Sequence, residues 1–184
     1  SYLSDPKPSI RAMTIQAIRY TLVDGDSSFD KILANSVVEI LSTMLRDTEI
    51  ENRRLALTTL NSAAHNKPAL IIPNLTELLP FVMHESVVKP ELIREVPMGP
   101  FKHKIDDGLE VRKSAYETLY SLMEIAFSRL SILTFYDRVL AGLRDQHDIR
   151  ALCSLMLTKL VSLDPEETAR RLDSIADAFR GILS

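Results

Sequence analysis

The sequence predicts an all-α fold, and three observations carry that expectation. Apolar residues recur at helical spacing along most of the 184 residues. The chain has only five glycines, no tryptophan and 6% aromatic residues, whereas strand-rich sandwiches and barrels use glycine at turns and aromatic or β-branched residues in strands. No two glycines lie closer than nine positions, so neither G-x-G-x-x-G nor G-x-x-x-x-G-K-S/T can be present, and the phosphate loops of nucleotide enzymes are excluded. The balance of 46% hydrophobic and 26% charged residues is that of an ordinary packed protein.

Each element follows from its own pattern. Ile10, Met13, Ile15, Ala17, Ile18, Leu22 and Val23 form a wide apolar stripe that predicts a helix over 6–23. Phe29, Ile32, Leu33, Val37, Ile40, Leu41, Met44 and Leu45 predict another over 28–45. Later segments predict helices over 48–65, 68–85 (broken or bent at Pro73 and Pro80), 108–129, 132–143, 146–162 and 165–183. Start signals agree, because Asp5-Pro6, Asp47 with Glu49, and Asp164-Pro165-Glu166-Glu167 offer capping oxygens and acidic first turns. Loops of a few residues predict antiparallel neighbours.

A short pattern heads alternate helices: an Asp, then an Arg five or six positions later, then apolar residues. It occurs as Asp5 with Arg11, Asp47 with Arg53, Asp106 with Arg112, and Asp145 with Arg150. The arginines are separated by 42, 59 and 38 positions, and two of these intervals match the period of roughly 40 residues of HEAT-type helix pairs. The predicted fold is therefore a HEAT-type α-solenoid, a right-handed superhelix of helix pairs, formed as one array over 1–184. The phasing gives a lone second helix at 6–23, a pair at 28–65, a pair over 68–129, a pair at 132–162 and a lone first helix at 165–183. An array that starts and stops within a repeat exposes an apolar face at each end, which further repeats or a companion chain should cover.

The long interval holds about 19 residues too many for such a repeat, and the excess falls in an insertion at 87–107. Here three of the nine prolines cluster, and Leu92 to Met98 and Phe101 to Ile105 flank Gly99-Pro100, which predicts a β-hairpin. Pro97 has no N–H to give and must sit at an outward-facing position. Val96, Met98, Phe101 and Ile105 are costly to expose, while Arg94, Lys102 and Lys104 make a local positive face. The hairpin is expected to be a partner-contacting arm rather than a passive loop. With no tryptophan present, Phe101 and Met98 are its expected anchors.

Catalytic vocabulary is almost absent. His65, His84, His103 and His147 lie far apart with no H-x-x-x-H or H-E-x-x-H spacing, so no metal site is expected. Cys153 sits in an apolar helical run without a basic neighbourhood and reads as a small buried hydrophobe. Ser62 and His65 lie one turn apart but lack nucleophile-elbow geometry. The carboxylates Asp106-Asp107 are expected to cap the helix that starts at Gly108. No catalytic residue and no cofactor is predicted. The net charge of -3, from 22 basic and 25 acidic residues, gives no reason to expect nucleic acid, and no apolar run approaches the length of a membrane span. A lone cysteine suits a reducing cytoplasm or nucleus.

Two runs carry a resemblance. Glu91-Leu-Ile-Arg-Glu-Val96, Met98-Gly-Pro-Phe-Lys-His103, Asp106-Asp-Gly-Leu109 and Arg112-Lys113 are similar to the C-terminal region of the cullin-associated, neddylation-dissociated family, as is Asn61-Ser-Ala-Ala-His-Asn-Lys-Pro68. That family has also been described as an interactor of the TATA-binding protein, and the divergence elsewhere suits a fungal or distant member. The resemblance implies a HEAT superhelix embracing an unmodified cullin with its RING subunit. It implies a hairpin at the cullin's N-terminal end, in competition with the adaptor of the substrate receptor. Arg94, Glu95, Val96, Met98, Phe101, Lys102, His103 and Lys104 would be its partner-binding residues. A transcription scaffold and a karyopherin-like cargo binder are the alternative readings.

Overall fold

A computed structural model describes the backbone of residues 2–183 and the side chains of residues 2–181; of the predicted array, Ser1 and Ser184 lie outside the described residues. The molecule is helical with a single antiparallel hairpin among the described residues, a HEAT-type fold with an insertion. The chain divides into two compact units, Ser1–Arg129 and Leu130–Ser184.

In the first unit, helix α1 (Pro8–Val23) begins with Pro8, whose missing N–H costs nothing at a helix start. Helices α2 (Asp30–Leu33), α3 (Val37–Leu45) and α4 (Ile50–Asn66) follow. The continuous helix expected over 28–45 is interrupted. A 3₁₀ turn occupies Ser27–Phe29, and the chain breaks again before Val37. The reason is local: Ser36 leaves helical geometry and its N–H and hydroxyl both bond back to the Leu33 carbonyl, an alternative that serine offers and aliphatic residues do not.

The expected break at Pro73 is present, since α5 (Pro68–Ile71) ends in a 3₁₀ turn over Ile72–Asn74 before α6 (Leu75–Glu85). Pro80 does not end its helix. It occupies an exposed position inside α6, where solvent can satisfy the carbonyl that a proline frees. Strands β1 (Ile93–Met98) and β2 (Phe101–Asp106) form the hairpin, and α7 (Leu109–Ala126) leads into a 3₁₀ turn at Phe127–Arg129. Helix α4 packs between α1 and α7, α3 packs on α4, and α6 packs on both α7 and α3, which is the two-layer arrangement of stacked helix pairs. Leu41, Leu57, Leu60, Leu78, Leu119 and Met123 are among the core residues withdrawn from solvent.

In the second unit, α8 (Ile132–Gly142) packs on α9 (His147–Leu163), and α10 (Pro165–Arg170) and α11 (Leu172–Leu183) follow. The helix expected over 165–183 is broken at Arg171. That residue pairs with Glu167 at 2.9 Å and Asp137 at 3.2 Å and lays its guanidinium over the Tyr136 ring, so its side chain holds the turn in place. The Tyr136 hydroxyl bonds Thr168, and burial pushes its pKa up despite that bond. Cys153 is wholly buried here, and burial pushes its thiol up to about 12, so it is unreactive near neutrality.

Candidate functional site

Antiparallel pairing sets Ile93 opposite Asp106, Arg94 opposite Ile105, Glu95 opposite Lys104, Val96 opposite His103, Pro97 opposite Lys102, and Met98 opposite Phe101. Only Gly99 and Pro100 remain for the turn. Gly99 has φ of 61°, and no other described residue has a positive φ, so Pro100 keeps its ring-imposed negative φ, the sign pattern of a type II′ turn. A two-residue turn makes Met98–Phe101 a hydrogen-bonded pair. Pro97–Lys102 is then a non-hydrogen-bonded pair, and the N–H that Pro97 lacks would have faced away from β2.

This register sorts the two faces. Arg94, Val96, Met98, Phe101, His103 and Ile105 share one; Ile93, Glu95, Pro97, Lys102, Lys104 and Asp106 share the other. On the charged face Lys102 pairs with Glu95 at 3.3 Å, and Lys104 is exposed. On the apolar face Val96 and Ile105 are half-buried and His103 is exposed, while Met98 and Phe101 are 62% and 75% exposed. Side by side at the tip, these two are large apolar groups held in water by a structured turn. Among the described residues no group of three or more His, Cys, Asp or Glu could hold a metal, and no helix is long and apolar enough to cross a membrane.

The Asp and Arg of the repeat pattern make several kinds of contact. Asp5 caps with one oxygen on the Lys7 N–H, and Arg11 donates to the Asp5 carbonyl. Arg11 also makes a forked pair with Asp47, Nε to Oδ2 at 2.8 Å and Nη2 to Oδ1 at 2.9 Å, joining α1 to the turn before α4. Burial pushes the Asp47 carboxyl up, but hydrogen bonds from Arg11, the Glu49 N–H and Asn52 outweigh it and hold the group below its ordinary value. Arg53 reaches back to the Asp47 carbonyl and lies 3.3 Å from buried Glu85, which also receives Lys89 at 2.7 Å. Arg150 donates to the Asp145 carbonyl, and Asp145 accepts from the Gln146 N–H. Glu85 carries no repeat signal; only its spacing of four from Lys89 hinted at a pair.

The two carboxylates before α7 do not act together as caps. Asp106 accepts from the Gly108 N–H at 2.9 Å and from Arg112 at 2.8 Å. Asp107 turns the other way, toward β1, where Arg94 Nε meets it at 2.7 Å. The reason is the register: Asp106 is the last strand residue and faces the helix, while the next position falls beside Arg94. That hydrogen bond holds Asp107 below the usual carboxylate range and Arg94 above its own. Arg94 therefore points into the molecule's own root and not outward with Lys102 and Lys104.

The family model described as "TATA-binding protein interacting (TIP20)" matches residues 70–184, which include the hairpin and every helix after it. The chain belongs to this family. Over the whole chain it is 52% identical to the C-terminal part of cullin-associated NEDD8-dissociated protein 1 of Emericella nidulans. It is 42% identical to cullin-associated NEDD8-dissociated protein 1 of Drosophila melanogaster and 36% identical to that of Dictyostelium discoideum, over 97% and 98% of the chain. The chain spans 18%, 14% and 15% of the lengths of these three relatives.

Proposed function

We propose that the chain is a non-catalytic part of an exchange factor for cullin–RING ubiquitin ligases, acting in cytoplasm and nucleus. In this reading it binds a cullin scaffold, together with its RING subunit, when the cullin carries no NEDD8. The arm lies at the cullin's N-terminal end and contests the site of the adaptor that brings the substrate receptor. Binding energy spent by each ligand against the other weakens both in the ternary state and speeds adaptor release, with no covalent step.

What carries the reading is the tip: Met98 and Phe101, exposed on a structured turn, are what a protein-contacting arm needs as apolar anchors. The names of the relatives supply the partner class. A second reading, contact with the TATA-binding protein, draws on the description of the family model. The test is fluorescence competition with labelled adaptor on unmodified cullin. Replacing residues 95–104 with a Gly-Gly link should keep helical content and abolish displacement; displacement at the parental rate would refute the role of the arm. Binding of TATA-binding protein in the absence of cullin would favour the second reading.

A further inference from the structure

The root of the arm is more elaborate than a hairpin of this size needs. The Leu92 carbonyl accepts a hydrogen bond from the Asp107 N–H at 3.0 Å, one pair beyond the strands. The Leu92 side chain lies against Gly108, where a Cβ would meet Leu92 Cδ1 at 3.1 Å and Asp106 Oδ1 at 3.2 Å. Asp106 ties the end of β2 to α7 through Gly108 and Arg112. Asp107 ties β1 to the same point through a two-pronged contact, Arg94 Nε to Oδ2 at 2.7 Å and Nη2 to Oδ1 at 3.3 Å.

From this arrangement we infer that Arg94, Asp107 and Gly108 are positioning residues, which fix the direction in which the arm leaves α7. The inference rests on reading the arm as the partner contact. A planar guanidinium fork constrains orientation as well as distance, which a single point charge would not do. Gly108 admits Leu92 so closely that the joint closes around it. A glycine that would otherwise serve as a hinge is thereby blocked. The lever is long: Met98 lies four positions beyond Arg94, roughly 13 Å of strand, so a tilt of about 30° at the root displaces the tip by ~7 Å. That exceeds the range of an apolar contact. A preset direction also spares the ordering cost a swinging arm would meet on binding.

The experiment measures direction without any partner. Spin labels on the full chain at Lys102→Cys and Glu117→Cys, both exposed positions, report the distance from arm to α7. Cys153 is buried and escapes labelling. The parent should give one narrow distance distribution. Asp107→Asn and Arg94→Gln should broaden it, and the charge-swapped pair Arg94→Asp with Asp107→Arg should narrow it again. Gly108→Ala should shift its centre, while Lys104→Ala should leave it unchanged. Parental width in both Asp107→Asn and Arg94→Gln would overturn the inference for the ion pair, and an unmoved centre in Gly108→Ala would overturn it for the glycine. Adaptor displacement is then measured on the same variants: a parent that fails to displace adaptor refutes the proposed function, yet leaves the joint as the distances show it.

Discussion

Arg11 with Asp47 and Arg94 with Asp107 are the same fork of guanidinium on carboxylate, made at the same 2.8 and 2.7 Å, in opposite surroundings. The first pair joins two stacked helices and leaves 10% and 3% of its side chains in water; the second joins a strand to a helix start and leaves 58% and 47%. Inside the stack, loss of one partner leaves a charge that water reaches only at its edge. At the root, water replaces either partner, so the pair contributes direction and little stability. Placement, more than chemistry, separates a residue that holds the fold from one that aims a surface.

Core and tip give the widest test of that division. Leu57 of α4 is fully buried, so Leu57→Ala should cost about 2–5 kcal/mol in urea unfolding. Phe101→Ala removes a larger side chain but from water, and should change stability by less than ~0.5 kcal/mol while weakening partner binding. A comparable loss of stability in Phe101→Ala would erase the distinction. Next in size is Asp47→Asn, which removes charge from hydrogen bonds to Arg11 and should cost about 1.5–3 kcal/mol in the same assay.

The acid dependence of that second effect has a definite sign. Asp47 has a folded pKa below its unfolded value of about 3.9, so its contribution is complete above that value and disappears as the pH falls through the folded one. The stability gap between parent and Asp47→Asn should therefore be widest near neutrality and shrink as the pH falls below about 4. A gap that stays constant with pH would mean that the carboxylate charge is not what Arg11 needs.

The stack was largely legible because its signals are periodic: apolar residues return every three or four positions, and the Asp and Arg pattern returns near each second helix. The hairpin was legible through the excess of residues between Arg53 and Arg112 and through Gly99-Pro100. Three features lay outside those signals. Ser36 and Arg171 interrupt helices by contacts with Leu33, and with Asp137 and Tyr136, that no local pattern announces. Glu85 takes the position facing Arg53 because the insertion carries Asp106 away to Arg112. Arg94 read as an outward charge, and only the register, which sets Asp107 beside it, turns it inward.

The smallest expected effect probes the exposed pair most directly. Because water substitutes for either partner, Asp107→Asn should leave the thermal midpoint where it is, in contrast to Asp47→Asn. Its consequence should be confined to the arm: amides of β1 and β2 should exchange with solvent roughly two- to fivefold faster, with those of α4 and α7 unchanged. Salt should imitate the substitution in the parent, since the Debye length falls from about 30 Å at 0.01 M to about 3 Å at 1 M and an exposed pair is screened where a buried one is not. Arm exchange that rises with salt in the parent, but not in Asp107→Asn, assigns the effect to this pair. Exchange that ignores salt in both proteins would instead place the arm's restraint in the Leu92–Gly108 contact, which carries no charge.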